Sequence, residues 1–339
     1  MKSAKFLLLT AIVSLSLPGA SAAAAQDVDF TQVQIPSTIE VVIASEAGGS
    51  TDTLGRIVMS HWQQVVSELT GTNVSTVIRN LPGAGTEIGA TAIAEANPDG
   101  STIGILNLPH VPLIEASRDP SFEPWMEAYT PLGTNVVDPN VIILGANSPY
   151  ETLAEALEAT RANPGSVIVG SQGPLSDDQL ALYALQEAAE AEFTFIPFDG
   201  GAGSNRALLG GEIDITIGNV FDYLQLADSA KDAAVFSTQR YHMIPDVPTV
   251  QEALGVTTGQ LAATRAFAGP AGLPEDISAL YIQAFERTFE DPAFQQEAIE
   301  RNMTLVDPVM GENLLSVMQE QQDLVVRLYP FFEAAEAAQ

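Results

Sequence analysis

Cysteine is missing from all 339 residues, and histidine occurs only three times. Without thiols the chain forms no disulfide, no thiolate nucleophile and no metal–thiolate centre, so stability must come from packing. His61, His110 and His242 lack metal-ligand spacing and read as surface or packing residues. No G-x-S-x-G elbow or Walker A loop is present, and no histidine has a serine partner legible in the sequence. Those absences weigh against a hydrolase and against a nucleotide-driven enzyme. Positive charge is also scarce, with 13 Lys and Arg against 43 Asp and Glu. Nucleic acid and anionic membrane surfaces are poor partners for such a chain. Any anionic ligand must be caught by local donors, because the overall field opposes it.

Residues 1–25 read as a secretory signal peptide. Lys2 and Lys5 make a basic start, Phe6 to Leu17 an apolar core, and Pro18 to Ala25 a small-residue stretch cleavable between Ala22 and Ala25. Removing its two lysines takes 13 basic residues to 11 and the net charge from −30 to −32, with Lys231 the one lysine left. So acidic a surface points to a saline medium, where screening shortens self-repulsion. After the leader no apolar run approaches about 18 residues, so a soluble, monomeric, periplasmic protein is expected. The roughly 314 residues that remain suffice for two lobes.

What the chain does have is glycine at a recurrent junction. Val41, Val42 and Ile43 form a β-branched run that stops at Ala47-Gly48-Gly49-Ser50, and Leu54, Ile57 and Val58 follow at helical spacing. Strand, small-residue turn and helix recur at Asn80-Leu81-Pro82-Gly83-Ala84-Gly85, at Ser171-Gln172-Gly173-Pro174-Leu175-Ser176, and at Gly200-Gly201-Ala202-Gly203-Ser204. Glycine lets backbone N–H groups approach a ligand, and a helix start adds unpaired donors and the positive end of a dipole. A carboxylate or phosphate suits such a turn. Asp52, at the first helix start, serves equally well as a cap, since two carboxylates side by side repel. Two βα series, ending at Asn107 and Asn219, predict parallel sheets with ligand groups at the strands' carboxyl ends.

The intervening stretch 109–131, rich in proline and aromatics, reads as an irregular connection, followed by a strand at Asn140 to Leu144. Ile244 to Thr249 reads as a rigid loop and Ala262 to Gly269 as a returning strand. Helices are expected at Glu275 to Phe289 and Glu312 to Leu328, with a frayed tail after Phe332. Trp62 is expected in the core, and Trp125 in the core or at the edge of a ligand cleft.

Four segments in register resemble the substrate-binding receptors of tripartite tricarboxylate transporters, the Bug or TctC-like family. They are Gly48-Gly49-Ser50-Thr51-Asp52; Asn80 to Gly85 with Pro98-Asp99-Gly100-Ser101-Thr102; Leu208-Leu209-Gly210-Gly211-Glu212-Ile213-Asp214; and Pro245-Asp246-Val247-Pro248-Thr249-Val250 with Leu273-Pro274. The resemblance implies an α/β, periplasmic-binding-protein-like type II fold, with two lobes joined by a hinge around a ligand cleft. Residues 26–138 and 263–339 would form lobe 1, and 139–262 lobe 2. It implies capture of a small carboxylate for a small and a large membrane permease subunit, without catalysis or cofactor. A partner of a membrane sensor kinase and a periplasmic hydrolase are the rival functions. By analogy the ligand meets Gly48, Gly49, Ser50 and Asp52 from lobe 1 and Ser171, Gly173, Ser176, Gly200 and Gly201 from lobe 2. Asn107 and Asn219 line strand ends, and Arg206 is a further candidate cation. The chain departs from the family at Ala47, where proline is common, around Leu175, Ser176 and Gln179, where a histidine is common, and at Asp199, where lysine is common.

Overall fold

The computed structural model describes residues 28–337 except Glu123 and Asp199. The predicted leader therefore lies outside the described residues, as does the departure at Asp199. The first βα series is β1 (Thr38–Ile43), α1 (Ser50–Thr70), β2 (Ser75–Asn80), α2 (Glu87–Ala94) and β3 (Thr102–Leu108), with β1 parallel to both of its neighbours. A cis Leu108–Pro109 bond leads into α3 (His110–Ser117), and α4 (Trp125–Ala128) follows. The stretch expected to be irregular thus carries two short helices and the start of β4 (Tyr129–Gly145).

β4 is the spine of the molecule. Its first part pairs antiparallel with the later strand 262–270, and Asn140 to Leu144 pair antiparallel with strand 215–219. Between them stands Pro139, which has no N–H to give, at the point where the strand changes partners. The second series is α5 (Leu153–Ala162), β5 (Ile168–Gln172), α6 (Asp177–Ala189), β6 (Thr194–Phe198), α7 (Gly201–Gly210) and β7 (Ile215–Asn219), with β5 parallel to β6 and β7. Next come α8 (Val220–Leu226), β8 (Ala230–Val235), α9 (Val250–Leu254), β9 (Ala262–Pro270), α10 (Glu275–Glu290), α11 (Pro292–Glu300), β10 (Leu305–Met310) and α12 (Leu314–Ala337). The strand order is β2-β1-β3-β9-β4-β7-β5-β6, and β8 and β10 also pair with β4. The loop expected before β9 ends in a capping box, with Thr249 and Glu252 opening α9. The tail expected to fray continues α12 to Ala337.

Apolar residues recurring at helical spacing on α1 and α10 make one core. Trp62 is fully buried against Tyr281 in an edge contact at 5.0 Å and beside Phe285, and Phe285 packs on Phe267 of β9. Trp125 is likewise buried, and its indole N–H is taken by Gln322 of α12. α12 crosses to the second series as well, where Phe332 meets the ring of Tyr183 on α6 at 4.7 Å.

Close approach of α2 to β1 depends on a missing side chain. A Cβ on Gly89 would lie 2.5 Å from that of Ala44, at the exit of β1. Gly89→Ala is therefore expected to push α2 off the strand and cost on the order of 1–3 kcal/mol. Urea unfolding should show this as a lower midpoint at unchanged slope.

Candidate functional site

The exits of β1 and β5 face each other across a cleft of about 220 Å³. One wall is Ala44 and Ser45 with the turn Pro82 to Thr86, the other is Gln172 to Pro174 with Ser176, and His110 also lines it. Both walls are backbone-strained. Gly83 and Gly85 have φ of +116° and +65°, and the non-glycine residues Ala84, Thr86 and Leu175 have +50°, +80° and +60°. Such conformations persist only where the surroundings over-determine them. Here Gln179 holds the Leu175 amide through its side-chain oxygen at 2.8 Å and donates to Tyr183 Oη at 2.7 Å. The walls also touch, since a Cβ on Gly85 would come within 2.7 Å of the Pro174 carbonyl. Thr86 and Ser176 are the N-cap residues of α2 and α6, so two helix N-termini open on the cleft.

Three buried polar atoms of cleft residues lack a hydrogen-bond partner: Ser45 Oγ, Thr86 Oγ1 and His110 Nδ1. A buried hydroxyl or imidazole nitrogen without a partner costs about 1–3 kcal/mol, and three of the nine such atoms among the described residues belong to this lining. His110 is held from behind. Its Nε2 lies 2.7 Å from Asp177 Oδ1, and both side chains are almost wholly buried.

Asp177 is the hub of a larger buried network. Its Oδ2 accepts from Asn140 at 2.7 Å and from Asn219 at 3.0 Å. Arg265 of β9 pairs with Asp138 of β4 at 3.0 Å and donates to Ser50 Oγ at 2.6 Å and Thr51 Oγ1 at 3.2 Å. Burial works against ionisation of Asp177, but the hydrogen bond and charge interaction with His110, followed by hydrogen bonds from Asn219 and Asn140, outweigh it and hold the carboxyl below its ordinary range. Its neighbours go the other way. Burial pushes Asp138 up to about 6 against the pull of Arg265. Burial, then the charges of Asp177 and Asp222, push Asp178 well above its ordinary value, and burial raises Asp222.

The residues singled out from sequence divide into three groups. Gly173 and Ser176 line the cleft, and Ser171 lies buried just behind them on β5. Ser50, Asn107 and Asn219 belong to the network under the floor: Thr51 donates to Asn107 at 3.2 Å and Asn219 donates to Asp177. Gly48, Gly49 and Asp52 do not line the cleft. The Gly48 amide is spent on Asp52 at 2.9 Å, and Asp52 also takes Arg56 at 2.9 Å and Asn80 at 3.0 Å, so it braces the turn. Gly200 and Gly201 face the protein's own acids, Glu46 and Asp222, whose oxygens stand 3.3 and 3.2 Å from where a Cβ would be. Arg206 is exposed on α7 and does not line the cleft. His110, read from sequence as a surface or packing residue, is buried, and it belongs to the cleft lining with its Nδ1 unpartnered. His61 and His242 do not line it. The 82–86 turn, recognised as a glycine turn but left out of the predicted contacts, forms most of one wall.

Comparison with known proteins matches residues 61–334 to the family described as tripartite tricarboxylate transporter family receptor. A protein of the tcbD-tcbE intergenic region of Pseudomonas sp. strain P51 is 29% identical over 244 residues, 70% of this chain and 69% of that protein. BugT of Bordetella pertussis is 26% identical over 249 residues, covering 72% and 73%. Among solved structures, the periplasmic binding protein BugD superposes with a TM-score of 0.74 at 23% identity, over 86% of this chain and 97% of that one. MatC from Rhodopseudomonas palustris with bound malate gives 0.75 at 22% identity, over 88% and 99%. An R. palustris protein with adipate gives 0.74 at 21%, over 89% and 98%.

The buried acids set a pH dependence of opposing signs. A carboxyl raised in the folded state contributes stability that is complete below the ordinary value near 3.8 and is lost as pH rises, for Asp138 up to about 6. Asp177 contributes above its ordinary value and loses that as pH falls. Asp178→Asn keeps an oxygen for Asn140, which donates to it at 2.9 Å, and removes the costly charge. Calorimetry should find the variant melting a few degrees above wild type at pH 8, with the gap shrinking toward pH 5.

Proposed function

The chain belongs to the tripartite tricarboxylate transporter receptor family, and we propose that it captures a small organic carboxylate outside the cytoplasmic membrane for delivery to a small and a large permease subunit. The observation that carries this reading is that three residues lining one cleft between two strand sets, Ser45, Thr86 and His110, each keep a buried polar atom without a partner. Hydroxyls donate to a carboxylate without needing a cation, and the N-termini of α2 and α6 add favourable potential for negative charge. At about 220 Å³ the cleft lies below the roughly 300–1,000 Å³ of ordinary ligand pockets, which favours a small solute. Malate and adipate, held by two fold relatives, are the natural first probes.

Closure is assigned to two lobes, 26–138 with 263–339 and 139–262, hinged where β4 changes partners beside Pro139. The contact of Gly85 with Pro174 is then the meeting of the two lips. Gly173 and Ser176 act as ligand contacts in this reading, and Ser45 and Thr86 replace Gly48 and Gly49 as the lobe 1 grip. Among the described residues no helix is long and apolar enough to cross a membrane, consistent with a receptor that hands its ligand to separate membrane subunits.

A thermal-shift series of small carboxylates against neutral solutes of matched size tests the assignment. A carboxylate at about 100 times its dissociation constant should add about 2.7 kcal/mol and raise the melting temperature by several degrees. Thr86→Val should weaken that ligand by roughly 5–30-fold through loss of one hydroxyl contact. Shifts from neutral solutes alone would refute carboxylate capture.

A further inference from the structure

We infer that Arg118 is a positioning residue of the site, holding the 83–86 turn in the left-handed form that makes one wall of the cleft. The inference rests on that cleft being the carboxylate site. Gly83, Ala84, Gly85 and Thr86 are four consecutive residues with positive φ, at +116°, +50°, +65° and +80°. Residues with a side chain rarely adopt that region, because Cβ crowds the following carbonyl oxygen. Ala84 and Thr86 therefore need their surroundings to keep them there. Within the turn, the Thr86 amide donates to the Gly83 carbonyl at 3.1 Å and the Glu87 amide to the Ala84 carbonyl. From outside comes Arg118, whose Nη2 donates to the same Ala84 carbonyl at 2.7 Å and lies 2.8 Å from Glu87 Oε2. One carbonyl thus takes two donors, and one guanidinium nitrogen ties the turn to the first residue of α2.

Its place in the fold distinguishes this clamp from an ordinary surface ion pair. Arg118 is the C-cap residue of α3, whose first residue, His110, lines the cleft and meets Asp177 of α6 at 2.7 Å. The helix is therefore a strut between the walls, with His110 on α6 at one end and Arg118 on the turn before α2 at the other. Arg118 is exposed and does not line the cleft, so it acts through Ala84 and not on the ligand. What it sets is where Thr86 opens α2 and where Gly85 stands, so near the Pro174 carbonyl that a Cβ would come within 2.7 Å of it. Loss of the clamp lets the turn visit relaxed conformations. Binding is then weakened in proportion to the fraction of molecules that keep the competent one. Both contacts are made by a single nitrogen, so a lysine Nζ can replace them, which it could not do for a two-nitrogen fork.

The test compares Arg118→Met, which keeps an apolar stem and loses every donor, with Arg118→Lys. With malate and adipate as probes, calorimetry and stopped-flow fluorescence should find affinity about tenfold weaker in Arg118→Met, through slower association at an unchanged dissociation rate. Arg118→Lys should recover affinity to within about threefold of wild type. Hydrogen exchange offers a readout that needs no ligand. The Thr86 and Glu87 amides should exchange about tenfold faster in Arg118→Met and at the wild-type rate in Arg118→Lys, with β1 unchanged in both. Unchanged affinity or unchanged exchange in Arg118→Met would overturn the inference, as would an equal loss in Arg118→Lys. Affinity lost through faster dissociation would overturn it too, since that marks a direct ligand contact. If neither acid binds the wild type, carboxylate capture loses its support, while the exchange rates still decide whether Arg118 holds the turn.

Discussion

One ionised carboxyl group, Asp177, buried at the first turn of α6, ties the molecule together. Stripping a carboxylate of water costs several kcal/mol unless hydrogen bonds replace it, and removing one partner of a buried pair leaves that cost exposed. Its donors come from three separate places: His110 beyond β3, Asn140 on β4 and Asn219 at the end of β7. None is local to α6. A charge satisfied this way fixes the relative position of the strand ends, because any drift of one element strands the carboxylate. The Arg265–Asp138 pair does the same one layer away, joining β9 to β4 and reaching Ser50 and Thr51 at the start of α1.

The acidity of the chain explains why the cleft is built from neutral groups. Cations are few, and those near the cleft already have partners: Arg265 with Asp138, Arg56 with Asp52, Arg118 with Glu87. What remains for an anion is hydroxyls, helix N-termini and tightly turned backbone. Positive φ at Ala84, Thr86 and Leu175 is the cost of bringing those turns so close, and these are three of the five non-glycine residues with positive φ among the described residues. A grip of this kind is short-ranged. A ligand held by such groups would have to fit between the walls, whatever the long-range field does.

Much of the architecture was legible because each βα unit announces itself with a β-branched run, a small-residue turn and an amphipathic helix. Four such turns marked the strand ends correctly. Their roles were not legible, since a glycine turn looks the same whether its amides face a ligand or its own helix cap. Gly48 spends its amide on Asp52 one helical turn on, and Gly200 faces Glu46 from a distant part of the chain. The sequence shows only five residues of β4 because Pro131 and Pro139 break the pattern of a central strand, although both stand where pairing shifts or changes hands. His110 was undervalued because it sits in the proline-rich stretch. Its signal was an Asp-Asp pair following Ser176, which needs donors once buried, but no spacing in the chain links positions 110 and 177.

The same carboxylate therefore does two jobs that cannot be separated. Orienting His110 requires Asp177 to be ionised, and ionisation requires the donors from β4 and β7 to be in place. Those donors are in place only when the strand ends are correctly set against α6. The ring is thus held among the cleft-lining residues in the geometry that also brings Gly85 against Pro174. Separation of the two walls would remove an acceptor from His110 and a donor from Asp177 together, leaving both to water.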